Sequence, residues 1–405
     1  MCLTLIPPFP MRTRLTELLG IQHPIVLPGM TYIAVPSLVA AVSNAGGLGI
    51  LAAGALTPEG CREAIREVRR LTDKPFGVGC SLGLPGAAEC ARVAIEERVP
   101  MVNVSMGKGE WVIEGVRAYG GKVIATISSE SHARSALSAG ADGLIVTGHE
   151  AAAHGGAVTS MVLIPAVRDM TDKPLIAAGG VADGRGLMAA LALGADAVAM
   201  GTRFASSAES PVHADTKRLI VSKEAEETIY SPNFDTWPCR VMKTPGGKRY
   251  TAHRLSPPVA ISRSLKAARE LNTPLHHLAR EAMQQGVVGA VKVAYFGAAT
   301  LAMRKAIHEG NHDDGVQLIG QSQGLVHDVA PVAEIVARVM REAAEVRERL
   351  QGLRSPPRKA RSPAGDRRGL LFSRRQGPGR IKGSVDHSSL LPPMPNRASK
   401  ALNRL

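Results

Sequence analysis

Short apolar runs rich in Val, Ile, Leu and Ala recur through the first half of the chain. Between them lie longer stretches in which apolar residues return at helical spacing. The runs are PIVLPGM at 24, LGILAA at 48, PFGVGC at 75, MVNVSM at 101, KVIATI at 122, GLIVTG at 143, PLIAAGG at 174 and AVAMGT at 197. Short β-rich runs of this kind read as strands. The segments between them, such as TPEGCREAIREVRRLT at 57–72 and DGRGLMAALALGA at 183–195, begin with Thr57 and Asp183. These two side chains can accept hydrogen bonds from the first helical N–H groups and so start the helices.

Strands at intervals of roughly 20–30 residues with a helix in each gap pair in parallel through right-handed crossovers. Eight consecutive units ending near residue 205 predict an α/β fold, a (β/α)8 TIM barrel over residues 12–205. An open doubly wound sheet is the alternative, because strand count alone does not prove closure. Residues 206–312 read as a mainly helical insertion or lid containing the Pro-rich loop YSPNFDTWPCRVMKTPGGKRY, with no further strand series. Residues 313–352 form a segment returning to the barrel, with 315–350 read as one long helix. Residues 353–405 read as a disordered basic tail.

Composition changes this picture in one place. The 405 residues are 45% hydrophobic but only 3% aromatic, so the core is aliphatic and stacking platforms for single-stranded nucleic acid are disfavoured. The formal charge of +14 suggests a polyanion partner until it is located: residues 355–405 hold twelve Lys/Arg against two Asp, leaving the body mildly basic. A Pro-, Gly-, Ser- and Arg-rich segment cannot bury enough apolar surface to offset its ordering entropy. Nucleic-acid binding is therefore expected only through this tail, if at all. Five cysteines (Cys2, Cys61, Cys80, Cys90, Cys239) show neither C-x-x-C nor metal spacing, which points to a reducing, cytoplasmic setting. The opening residues lack a basic n-region, and no run reaches eighteen apolar residues, so neither a signal peptide nor a membrane span is expected.

Barrel chemistry comes from the loops at the carboxyl ends of the strands. Strand one ends in Pro28, Gly29 and Met30; strand six in Gly148, His149, Glu150 and on to His154, Gly155 and Gly156; strand seven in Gly179 and Gly180; strand eight in Gly201, Thr202 and Arg203. Glycines after strands seven and eight stand where barrels bind phosphate. Gly179, Gly180, Gly201 and Thr202 are thus the candidate phosphate contacts, although such glycines also simply make tight βα turns. A Walker loop is absent, and SNAGGLGI at 43 precedes a strand, so it is not a dinucleotide fingerprint. His154 is the candidate acid or base, since imidazole titrates near neutrality. His149 reads as a partly outward loop residue, and Glu150 as a group bonding nearby backbone. Arg203 could neutralise phosphate or pair with an acid such as Glu209. H-E-x-x-H is missing and no metal is assigned.

GHEAAAHGG, PLIAAGGVADGRGLMAALALGADAVAMGTRF, GQSQGL and PGM followed by LVAAVSNAGGLGILAAG resemble the nitronate monooxygenase family, over roughly residues 12–350. Its relatives include NAD(P)H-dependent flavin oxidoreductases and flavin-dependent enoyl-[acyl carrier protein] reductases. The resemblance implies FMN, with its phosphate at Gly179, Gly180, Gly201 and Thr202, its ring beside Pro28, Gly29 and Met30, Gln321 near the cofactor, and His154 as the active-site histidine. The chain departs from that pattern at Leu27 and Pro28, where relatives commonly have glutamine and glycine, at Gly79, where an asparagine often helps hold the flavin, and at Ala125, where some quinone-reducing relatives carry lysine.

The implied activity is oxidation of an alkyl nitronate with O2 to a carbonyl compound and nitrite. The alternative is NAD(P)H-dependent reduction of quinones or enoyl thioesters. From a different class comes a barrel without efficient catalysis that binds partners through its basic tail.

Overall fold

The computed structural model describes residues 11–84, 86–270, 291 and 294–352. Eight parallel strands, β1 (Ile25–Leu27), β2 (Leu48–Ala52), β3 (Phe76–Ser81), β4 (Met101–Ser105), β5 (Lys122–Ile127), β6 (Gly143–Thr147), β7 (Leu175–Ala178) and β8 (Ala197–Ala199), form a closed barrel. Closure is explicit in the pairing: β1 matches Val26 with Leu48 of β2 on one side and with Ala199 of β8 on the other. The open-sheet alternative is thereby excluded. Helices α1 (Arg14–Leu19), α2 (Pro36–Asn44), α3 (Pro58–Leu71), α4 (Ala87–Glu96), α5 (Glu110–Arg117), α6 (Glu130–Ser138), α7 (Ser160–Arg168) and α8 (Gly184–Ala192) precede the barrel or connect its strands. Thr57 and Asp183 cap α3 and α8, accepting from the Gly60 and Gly186 N–H groups at 3.1 and 3.0 Å.

Strand side chains alternate between two cores. Ile25, Leu27, Leu51, Val78, Val102, Val123, Ala125 and Leu144 pack outward with the helices. Val26, Leu48, Ile50, Met101, Ile124, Ile145 and Ile176 fill the barrel interior. The amino-terminal end is plugged by α1, whose Leu15 is fully buried in that interior cluster. Asp196, buried below β8, receives Arg14 at 3.4 Å, Arg168 at 3.3 Å and the Leu175 N–H at 3.0 Å, anchoring the plug. The interior is thus packed below and must open, if anywhere, above.

Beyond β8 the chain runs through α9 (Gly201–Ala205), α10 (Ala214–Ser222), α11 (Pro245–Ala252), α12 (Pro257–Glu270) and a helical stretch over 294–309. Two expectations need correction here. Residues 206–312 are not free of strands: β9 (Thr228–Ser231) and β10 (Cys239–Met242) make an antiparallel ribbon. Nor is 315–350 one helix. Residues 315–320 lie extended against β10, with Leu318 bridging Val241 and the Met242 N–H donating to the Gln317 carbonyl at 2.8 Å. A 3-10 turn follows at Gln321–Leu325, and the long helix α13 begins only at Val332 and runs to Gly352. The Glu209 carboxylate accepts the Val332 N–H at 2.9 Å and fixes that start. The expected tail, 353–405, lies outside the described residues.

Candidate active site

Above the packed interior the inward positions become small or polar. Following the alternation upward gives Ala52 on β2, Gly79 and Ser81 on β3, Asn103 and Ser105 on β4, Thr126 and Ser128 from β5, Thr147 on β6, Ala178 on β7 and Ala199 on β8. These residues, together with the loops that follow the strands, enclose a cavity of about 760 Å³ at the carboxyl end of the barrel. That volume is within the roughly 300–1,000 Å³ usual for cofactor and small-molecule sites. Its polar floor is organised. The Asn103 amide donates to the Ile124 carbonyl and to the Thr126 hydroxyl, both at 2.9 Å, and the Ser105 hydroxyl donates to that of Ser81 at 3.0 Å.

Pro28, Gly29, Met30, His154, Gly179, Gly180, Gly201 and Thr202 all line this cavity. Gln321 does not: its neighbours Gly320 and Ser322 do, while the Gln321 N–H donates to the Glu150 carbonyl at 2.9 Å. Gly179 and Gly180 have φ of +103° and +75°, a region L side chains rarely adopt, so both turn β7 into α8 and leave bare backbone at the cavity wall. At Gly201, a Cβ would stand 3.3 Å from the Met30 sulfur and 3.6 Å from Pro28, because the exits of β8 and β1 converge. Gly201 opens α9, whose first turn has no side-chain cap, and the Thr202 hydroxyl accepts the Gly320 N–H at 3.3 Å. The departures at Leu27 and Ala125 remove nothing from the cavity, since both face the outer core; Gly79 does line it, and a Cβ there would lie 3.6 Å from the Gly29 Cα.

His154 stands on the loop after β6, and the β9–β10 ribbon is built onto that loop. Ala153 and Arg240 exchange backbone hydrogen bonds at 3.3 and 3.0 Å. The buried Arg240 guanidinium donates to the His149 carbonyl at 2.9 Å and to the Thr228 hydroxyl at 2.9 Å, and the Tyr230 hydroxyl donates to the Gly155 carbonyl at 2.8 Å. Burial lowers the Arg240 pKa, and Tyr230 and Glu150 partly offset it. Between the two strands of the ribbon, Asp235 places Oδ2 at 2.8 Å from His154 Nε2. Trp237 meets the imidazole edge-on, with ring centroids 5.7 Å apart. Asp235 escaped the sequence reading: it lies 81 residues from His154, and its only local signal is an Asp-Thr-Trp-Pro turn.

The other candidates take structural parts. His149 Nδ1–H donates to the Gly156 carbonyl at 2.9 Å and its ring packs edge-on against Tyr230. Glu150 accepts the Ser160 N–H at 2.9 Å and its hydroxyl at 3.0 Å, as expected of a backbone-bonding carboxylate. Arg203 neither lines the cavity nor pairs with Glu209. It is buried and donates to the Asp328 carboxylate at 2.6 Å and carbonyl at 2.7 Å, tying α9 to the segment before α13. Among the described residues no cluster of His, Cys, Asp or Glu could hold a metal ion, and no helix is long and apolar enough to cross a membrane.

A family model described as nitronate monooxygenase matches residues 12–109 and 87–342, taking in every cavity-lining loop. The chain belongs to the nitronate monooxygenase family. Among its relatives in this wider group, a (3aS,4S,5R,7aS)-5-hydroxy-7a-methyl-1-oxo-octahydro-1H-indene-4-carboxyl-CoA dehydrogenase from Rhodococcus jostii is 35% identical over 85% of this chain and 99% of that protein. A nitronate monooxygenase from Pseudomonas aeruginosa is 29% identical over 82% of this chain and 99% of its own length. The solved structure of FabK from Thermotoga maritima superposes with a TM-score of 0.70 and 39% identity, covering 84% of this chain and 99% of that one. The nitronate monooxygenase family is flavin-dependent, and the cofactor of this chain is FMN. The residues present fit it: a cavity of sufficient volume, glycine-only turns along one wall, an uncapped helix start beside Gly201 and hydroxyl and amide groups on the floor.

Proposed function

We propose that this protein is an FMN-dependent oxidoreductase that acts on an acyl thioester and exchanges reducing equivalents with a nicotinamide cofactor. The carrying observation is the pairing of His154, held at the cavity wall by Asp235, with similarity over 85% of this chain to a carboxyl-CoA dehydrogenase matched over 99% of its own length. In this reading Gly179, Gly180, Gly201 and Thr202 hold the FMN phosphate, and Pro28, Gly29 and Met30 lie beside the ring. FMN supplies the hydride chemistry. His154 accepts or delivers the proton that accompanies hydride transfer, from a position on the cavity wall where substrate can reach it. Ala152, Ala153, Trp237 and Pro238 give the rim an apolar face that excludes water from an acyl chain.

Oxidation of an alkyl nitronate is the second reading, favoured by the family description and by the Pseudomonas relative. A visible spectrum of the FMN-loaded protein, recorded without oxygen, separates the two. Bleaching by NADH or NADPH, followed by recovery of the flavin band on adding crotonyl-CoA, supports the thioester reading. Bleaching by propyl nitronate, with no response to either nicotinamide, replaces it with nitronate oxidation.

A further inference from the structure

We propose that Asp235 is a positioning residue that fixes the tautomer of His154, keeping hydrogen on Nε2 and leaving the Nδ1 lone pair as the proton-accepting site. The inference rests on His154 being the proton-transfer group, as read above. A carboxylate oxygen can only accept, so the 2.8 Å contact at Oδ2 requires Nε2–H as donor. In neutral imidazole the proton is then absent from Nδ1, and Nδ1 has no hydrogen-bond partner among the described residues. The carboxylate itself cannot swing away, because its second oxygen, Oδ1, accepts the Trp237 N–H at 3.3 Å and the side chain is only 5% exposed. Two strands, β9 and β10, are paired in register from Thr228–Met242 to Ser231–Cys239, so the turn carrying Asp235 starts from a fixed base. That base is clamped to the histidine's own loop through Ala153, Arg240 and Tyr230. Asp235 and His154 are therefore held as one rigid pair although they belong to different parts of the chain.

This arrangement makes an unusual demand on the obvious substitutions. In Asp235→Asn the amide oxygen keeps the Trp237 N–H, which turns the amide NH2 toward His154. Nε2 must then accept, the ring proton moves to Nδ1, and the lone pair that should take the substrate proton is lost. Asp235→Ala removes the carboxylate but imposes no tautomer. The isosteric change is consequently the more damaging one, the reverse of what a packing role would give.

The test uses the full-length, FMN-loaded protein labelled with 15N-histidine, with ring-nitrogen correlation spectra taken at a pH where the imidazole is neutral. The His154 signal is identified by its loss in His154→Ala. The expected result is an Nε2–H tautomer in the parent protein and an Nδ1–H tautomer in Asp235→Asn. Turnover should fall by roughly 10²- to 10⁴-fold in Asp235→Asn, as when a triad carboxylate becomes an amide, and by less in Asp235→Ala. An Nε2–H signal retained in Asp235→Asn, or Asn milder than Ala with flavin content equal in both, overturns the proposal. Full turnover in His154→Ala defeats the proton-transfer reading instead, while the tautomer spectra still decide what Asp235 does.

Discussion

His154 owes its place to its neighbours' backbone as much as to its own side chain. Ala153 before it and Thr236 after Asp235 have φ of +53° and +82°, conformations disfavoured for any residue with a Cβ and most for a β-branched one. Such positions cost on the order of 1–3 kcal/mol each and persist where surrounding contacts over-determine them. Thr236→Gly should therefore raise the midpoint of chemical denaturation by about 1 kcal/mol equivalent while leaving the Asp235 contact intact; a fall in stability would show that Thr236 is not strained. His154→Ala should keep its flavin, since the glycine loops proposed to hold the phosphate are untouched, and lose roughly 10²-fold or more in turnover. Equal kcat in the two proteins at equal flavin content would remove the histidine from the mechanism. Residues that follow strands were legible because a barrel gathers them at one end whatever their separation in sequence. Asp235 was not, because nothing local says which distant loop a turn will meet.

At the scale of elements, the short β-rich runs announced all eight strands, for a physical reason: strands covered on both faces are short and mostly apolar, and helical segments separate them. The ribbon β9–β10 escaped the same reading. TIYS and CRVM are only four residues each, and their polar members are committed to specific partners, Arg240 to His149 and Tyr230 to Gly155. The segment 315–331 was misread for a related reason, since residues 315–320 lie extended against β10 and a 3-10 turn follows at Gln321–Leu325 in place of a helix face. Its end is locked by Asp328, which lies between Arg203 and Arg338 at 2.6 and 2.7 Å. Burial works against the Asp328 charge, but hydrogen bonds from Arg338 and Arg203 outweigh it and hold the carboxyl below its ordinary pKa. Removing that carboxylate leaves the guanidinium of Arg203 buried with only a carbonyl to bond. Asp328→Ala should thus cost about 2 kcal/mol in denaturant melts, the size of a hydrogen bond to a charged group. A loss below about 0.5 kcal/mol would mean that the Asp328 carbonyl alone satisfies Arg203.

Over the whole molecule, the cavity exists because interior side chains shrink from Ile and Met at the plugged end to Ala, Gly, Ser and Thr at the open one. That gradient was present in the sequence at every second strand residue, yet it becomes visible only once the register says which residues point inward. The same packing distributes the protein's sensitivity to acid. His23, His308 and His312 all have pKa values lowered by burial, His308 also by Arg304 and His312 by His213 and Lys223. Buried Nδ1 atoms of His23 and His312 lack hydrogen-bond partners among the described residues, so a proton added there gains no acceptor. A group whose folded pKa is depressed binds more protons when unfolded; its stabilisation is complete above the unfolded pKa, about 6.5 for histidine, and drains as pH falls through the folded value. Glu97, Asp183 and Asp328 follow the same sign at lower pH. Burial opposes their ionisation, and their arginine partners, with backbone N–H groups at Asp183, more than reverse it, so their contribution is lost below an unfolded value of about 4. Thermal melts of the FMN-loaded protein should show Tm level above about pH 7, falling as pH drops below about 6.5, and falling again below about pH 4. Because His312 also bonds the Thr216 hydroxyl at 2.8 Å, His312→Gln should lessen the first decline and leave the part due to His23 and His308. A Tm that stays level from pH 7 to pH 5 in the parent protein would mean that these histidines are solvated in solution, and the closed packing between α10 and residues 306–312 would have to be redrawn.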